Sequence, residues 1–380
     1  MHLQFQIHKI HFLKKELSEV YVNLALQSFA ISLIAVFIPI YLLSSGFSLN
    51  SVIMFFITYY AVLGFFSPIS AILANRFGFK HIILFRTPFL ISFLLGLHHI
   101  NDIMLSPIVI AVIGGIGSSL YWISINSIFA KHSDKIHRGR QTGNLISIPK
   151  IASLIGPTLG GVIALIYGFP LLFLITSAII VVSVMPLFVT GETKPHIRFS
   201  LKKMIKIQDN LKYSIYFILS GPKFIAGSIF WPLFVYWGLS GSTIGTGLSQ
   251  TLAGIGILLF THYIGRQADR TDNNSLIKKG AILIALLWFI RIFATSPMEF
   301  FIYSFLAGIF TILIDIPFTA ATFNQANKEN PDEFIVLREL TLAVGRIFSL
   351  GILLFIPDTI PSTFFSFSLA GVTTLAFILF

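Results

Sequence analysis

Residues 71–76 read AILANR and residues 265–270 read GRQADR, and each of these polar knots stands between two long apolar runs. The second begins 194 places after the first, about half the length of a 380-residue chain. At nearly the same offset GGIGSSLYWISIN (114–126) lies over AGIFTILIDIPFT (307–319), and PKIASL (149–154) lies over GRIFSL (345–350). Each match is short, but the shared register points to a duplicated unit, a pattern common in transporters.

The composition says where such a unit resides. The chain is 55% hydrophobic and only 11% charged, with a mean hydropathy of +0.87, whereas a soluble domain is about a quarter charged. Its solvent is therefore lipid. Helical spans of about 20 apolar residues, broken at Gly, Pro and charge clusters, are expected near 20–44, 51–74, 81–100, 104–130, 144–166 and 169–189. A second set is expected near 213–239, 243–264, 277–296, 298–323, 334–356 and 361–379. The fold class is an all-α membrane protein of twelve transmembrane helices in two pseudo-symmetric six-helix bundles, residues 1–190 and 213–380. Residues 191–212 form a basic linker, and about 3–19 form an amphipathic helix on the membrane surface leading into the first span.

Loop charge sets the direction. Arg76, Lys80, Arg138, Arg140, the linker, Arg266, Arg270 and Lys328 fall on one set of connections. The opposite set (SSGFSLN, HHIND, YGFP, GLSGST, ATSPME, PDTIPS) contains no Lys or Arg. Basic loops stay in the cytoplasm, so both termini are expected there, in a cell membrane. The formal charge of +11 is explained by these loops and implies no nucleic acid.

In this frame the chain resembles the major facilitator superfamily, whose loop between spans 2 and 3 carries Gly-x-x-x-Asp-Arg-x-Gly followed by basic residues. The first copy keeps Arg76, Gly78 and Lys80 but has Ala71 and Asn75, while the second keeps Gly265, Asp269 and Arg270. Span 5 adds Gly143, Gly156, Pro157, Gly160 and Gly161, similar to the family's antiporter pattern, with Ala152 at one of its glycine positions. The resemblance implies that these loops latch one half to the other, the first facing the start of span 11 and the second the start of span 5. The approach to span 5 is basic (Arg138, Arg140) and faces Asp269; the approach to span 11 is acidic (Glu329, Asp332, Glu333) and faces Asn75. The missing acid is thus matched by charge.

A charge near mid-membrane needs a partner or a wet cavity. Lys223 on span 7 and Asp315 on span 10 share a depth and are expected to face each other, either as a fixed ion pair that holds the second half together or with Asp315 as proton acceptor. In the family, spans 1, 4, 7 and 10 line the cavity, which adds Asn23, Gln27, Tyr121, Trp122, Asn126, Trp231 and Tyr236 as candidates for the substrate path. Lys150 and Arg346 occupy matching places in the repeat. Arg291 is expected to snorkel or meet Glu299, and Arg86 to reach the headgroups.

Catalysis finds no support. HExxH, GxSxG and GxxxxGK[ST] are absent, Cys is absent, and His98, His99 and Asp102 do not specify a metal site. The expected function is secondary active transport of a small amphipathic or hydrophobic organic solute, with proton-coupled efflux as the first form. A uniporter or importer of a small neutral solute, or a lipid-handling or non-transporting relative, is the alternative. No cofactor is expected beyond a proton gradient; the partners are a small-molecule substrate and the lipid bilayer, and the chain is expected to be a monomer.

Overall fold

A computed structural model describes residues 2–101, 106–132, 138–191, 210–270, 273–326, 328, 331–356 and 359–380. Side chains are described for these except at 2–17, 130–132, 138–143, 146, 262, 265–266, 268–270, 273 and 359. The elements among the described residues are all helical.

Span 1 comprises His2–Ile34 and, after a short break, Ile38–Ser44; spans 2, 3 and 4 are Leu49–Phe77, Phe79–His98 and Pro107–His132. The segment expected to lie on the surface is thus one unbroken helix with span 1. Span 5 is Arg138–Ala152 continued by the start of Gly156–Val184, whose remainder is span 6. Span 7 is Leu211–Ile225, a π-turn at Ala226–Phe230, and Trp231–Gly238. Spans 8 to 12 are Thr243–Arg270, Asn273–Arg291, Pro297–Ala326, Pro331–Leu353 and Thr359–Leu375.

Among the described residues, nine stretches are long and apolar enough to cross a membrane, and twelve spans follow from them on two grounds. Ser147–Phe188, at 42 residues, holds two spans. Gly168 (φ 80°) breaks it, after which Phe169 and Phe173 pack on Tyr41 and Ser183 reaches Asn23, so the chain returns along span 1. Spans 9 and 11 carry three and five charged residues, too many for an apolar window, yet much of each is buried in the bundle.

Local chemistry explains the breaks. Gly78, at φ 94°, ends span 2 and opens span 3 in a conformation few other residues adopt. Pro232 has no N–H for the carbonyl four residues back, and the π-turn at Ala226–Phe230 sits just before it. Glu299 caps span 10 by accepting from the Thr295 and Ser296 N–H groups at 2.7 and 2.9 Å.

The repeat is physical. A side chain at Gly115 would collide with the backbone oxygen of Tyr59, and one at Gly308 with that of Ala253. Residues 59 and 253 are 194 apart and 115 and 308 are 193 apart, so both halves make the same close approach. Gly156 and Gly160 bring span 5 against Ser32 and Leu33 of span 1; Gly345 brings span 11 against Ile218 of span 7. The halves then meet where Gly161 and Pro157 of span 5 touch Thr243 and Gly247 of span 8, and where Gly64 of span 2 touches Ala343 of span 11.

Candidate functional site

A cavity of about 590 Å³ lies within the bundle, and among the described residues its walls come from spans 7 to 11, the turn that follows span 12 and a single first-half residue, Lys150. Helical periodicity selects the wall. Span 7 presents Ser220, Lys223, Phe224, Gly227 and Trp231; span 10 presents Thr311, Ile314, Asp315, Phe318 and Thr322; span 11 presents Arg338, Leu342 and Arg346 at four-residue steps. Among the described residues, spans 1 and 4 contribute nothing to it.

Lys223 Nζ donates to Asp315 Oδ1 at 2.9 Å. The Asp315 side chain keeps 49% of its surface open while Lys223 keeps 15%, so the carboxylate faces the cavity. Lys150 lies within electrostatic reach of Asp315 from across the junction between the halves. Arg346 rests over the rings of Phe224 (4.2 Å) and Tyr60 (5.0 Å), and Arg338 donates to Glu339 at 2.6 Å.

Arg291 neither snorkels nor meets Glu299. It is 3% exposed, held 4.0 Å from the Trp231 ring and 4.4 Å from the Trp288 ring, and its Nη2 donates to the Tyr303 carbonyl at 3.1 Å. Burial between two indoles offsets lost hydration, since a desolvated cation over an aromatic face gains about 2 kcal/mol or more. Arg86 likewise turns inward, 5% exposed, with its guanidinium 4.1 Å from the Tyr121 ring.

Residues 20–209 match the profile of the Major Facilitator Superfamily. The chain belongs to this superfamily. Multidrug resistance protein MdtG of Citrobacter koseri is 24% identical over 320 residues, spanning 78% of this chain and 76% of that one. Two crystal structures of the nucleoside transporter NupG share the fold. One, of a point mutant, has a TM-score of 0.71 at 12% identity, covering 96% of this chain and 99% of its own; the other has 0.69 at 11%, covering 96% and 98%. The protein is therefore an integral membrane transporter of the superfamily's fold.

Within that fold the sequence-derived candidates separate. Trp231 joins Lys223 and Asp315 on the cavity wall, its Nε1 donating to Ser304 Oγ at 2.9 Å. Asn23, Gln27 and Tyr121 instead knit the first half together: Asn23 Nδ2 donates to the Ser183 carbonyl at 2.7 Å and its Oδ1 accepts from Tyr121 at 3.2 Å, while Gln27 accepts from Ser183 at 3.5 Å. Trp122 is exposed, Asn126 bonds the Trp122 carbonyl, and Tyr236 sits at the turn through Gly241; none of these lines the cavity. Arg338 was passed over in the sequence, although its four-residue steps to Leu342 and Arg346 place it on the same face as Arg346.

At the loops the superfamily motif divides as well. Ala71 packs on Ile335 and Val336 at the start of span 11, Asn75 is half-buried with no hydrogen bond to its Oδ1, and Arg76 is exposed, 5.3 Å from the Phe77 ring. Lys80 turns into its own half, where its Nζ donates to Glu19 Oε2 at 2.8 Å and Thr190 Oγ1 at 2.7 Å. The side chains of Gly265, Asp269, Arg270, Arg138, Arg140 and Gly143 lie outside the described residues.

Proposed function

We propose that the protein moves a small amphipathic organic solute across its membrane by alternating access, with Asp315 taking up and releasing the coupled proton. The observation that carries this reading is the half-open Asp315 carboxylate, bonded to Lys223 on the wall of a cavity. Protonation of Asp315 removes the charge that Lys223 and Lys150 share and frees the Lys223 ammonium, so proton uptake re-sorts the contacts between the two halves. The aromatic lining (Phe217, Phe224, Trp231, Trp288, Phe318) suits an apolar body, and the name of the relative MdtG favours drug-like solutes. The basic ends of the spans face the cytoplasm in this reading.

Purified protein in proteoliposomes, with and without an imposed pH gradient, tests it. Gradient-driven accumulation of solute is expected in the native chain, and Asp315→Asn is expected to retain only downhill equilibration. Full gradient-driven uptake by Asp315→Asn would refute the assignment. A uniporter is the second reading, because the Lys223–Asp315 pair is already formed and, among the described residues, the first half brings no carboxylate to the cavity; flux indifferent to the gradient would select it.

A further inference from the structure

We infer that the cargo is an amphipathic organic anion, and that it binds together with a proton on Asp315 and not in exchange for one. The inference rests on the cavity being the transport site, as proposed above.

Among the described residues, five cationic side chains line this cavity and one carboxylate does: Lys150 from span 5, Lys223 from span 7, Arg291 from span 9, Arg338 and Arg346 from span 11, against Asp315 from span 10. Span 8 adds the neutral Gln250 and the turn after span 12 the apolar Phe377. Two of the cations are already matched, Lys223 by Asp315 and Arg338 by Glu339. Lys150, Arg346 and Arg291 have no carboxylate within ion-pairing distance among the described residues. Arg291 is 3% exposed and already held by two indoles and the Tyr303 carbonyl, with its Nε left without a hydrogen-bond partner. Lys150 is exposed and Arg346 half-buried on the wall, and an anion entering between them supplies the counter-charge that neither finds among the described residues. Those two residues belong to opposite halves, so the same anion relieves the repulsion that opposes closure around it. A cationic solute meets the reverse: a wall of like charge whose one described carboxylate already accepts from Lys223.

The sign of coupling follows. A proton on Asp315 removes the only negative group on the wall, which strengthens the field felt by an anion; by linkage, a bound anion strengthens proton binding at Asp315 equally. Partners that favour each other's binding travel in the same direction, whereas exchange requires them to compete. The antiport expected from the span 5 motif therefore does not fit this cavity.

Intrinsic tryptophan fluorescence in nanodiscs, with Trp231 and Trp288 on the wall, reads the binding of three matched probes: 2-naphthoate, 2-naphthamide and 2-naphthylmethylammonium. The expected order is naphthoate tightest, by about tenfold over the amide, with the ammonium weakest. Asp315→Asn, which removes the same charge that a proton would, is expected to tighten naphthoate binding about tenfold, while Lys150→Met weakens it about tenfold. Because the order is read within one preparation of native protein, a misfolded variant does not rescue the claim. Tightest binding of the ammonium, or weaker naphthoate binding by Asp315→Asn, overturns it. Oleate in place of naphthoate separates sources: stronger competition by oleate assigns a bilayer anion, weaker competition a soluble one, and both retain the anion. If the expected order holds but naphthoate does not cross proteoliposomes, the transport reading fails and the anion site stands.

Discussion

The two halves of this transporter share a backbone plan and fill it in opposite ways. Shifted by 194 residues, Phe56, Tyr59 and Tyr60 of span 2 fall on Gln250, Ala253 and Gly254 of span 8. In the first half Tyr59 packs against Phe93 and Tyr60 and bonds Ser118, and Tyr60 stacks with Phe56 and takes Arg346 over its face. In the second half Gln250 and Ala253 stand at the edge of open space. At these matching positions the first half carries aromatic rings where the second half borders the cavity. Polar side chains follow the same division, being hydrogen-bonded within the first half (Asn23, Gln27, Tyr121) and turned to the cavity in the second (Lys223, Asp315).

The largest test of this contrast compares the two lysine pairs. Lys80 and Glu19 keep 5% and 6% of their side-chain surface, against 15% and 49% for Lys223 and Asp315. Removing one partner of a buried pair costs about 3 to 5 kcal/mol, so Lys80→Met is expected to lower the unfolding temperature sharply. Lys223→Met, which leaves a carboxylate already open to the cavity, is expected to cost about 1 kcal/mol. Equal losses in a detergent melt would break the distinction between a structural pair and a working one.

Volume is the next lever. Tyr59→Ala is expected to cost about 3 kcal/mol as a large-to-small core change without altering ligand affinity, whereas Ala253→Tyr should cut ligand binding at least about tenfold, following the overpacking logic that penalises added core volume. Fluorescence titration alongside thermal unfolding separates the two outcomes. Asn23→Leu, which orphans the Ser183 carbonyl, is expected to cost about 1 to 3 kcal/mol with affinity unchanged; a change in affinity of tenfold or more would return Asn23 to the substrate path. Smallest is Asp269→Lys, expected to shift the balance of inward and outward forms by no more than about 1 kcal/mol. The chain has no Cys, so single introduced cysteines report that balance by labelling rate, and a rate unchanged in both directions removes the latch.

The sequence carried the spans because lipid demands a sustained apolar run. Lys223 and Asp315 were legible from depth alone: two isolated charges at one level need each other. The cavity's position was not, since it depends on which side chains of spans 2 and 8 are large, a property that superimposed motifs ignore. Arg291 misled because its distance from the span end suited snorkelling, while the two indoles that hold it come from residue 231 on span 7 and residue 288 on its own helix. Asn23 and Tyr121 misled for the complementary reason: polar residues on expected cavity helices were satisfied by the Ser183 carbonyl and by each other.

Phe129 of span 4 and Phe323 of span 10 meet with ring centroids 5.1 Å apart, and Tyr21 and Leu145 close around them, while Phe323 also lines the cavity. Parting these spans wets two aromatic faces, which gives the opening step a positive heat-capacity change. Its equilibrium constant must then bend with temperature, and a van't Hoff plot of the conformational balance in this transporter will be a curve, flattened by exchanging Phe129 for a smaller residue.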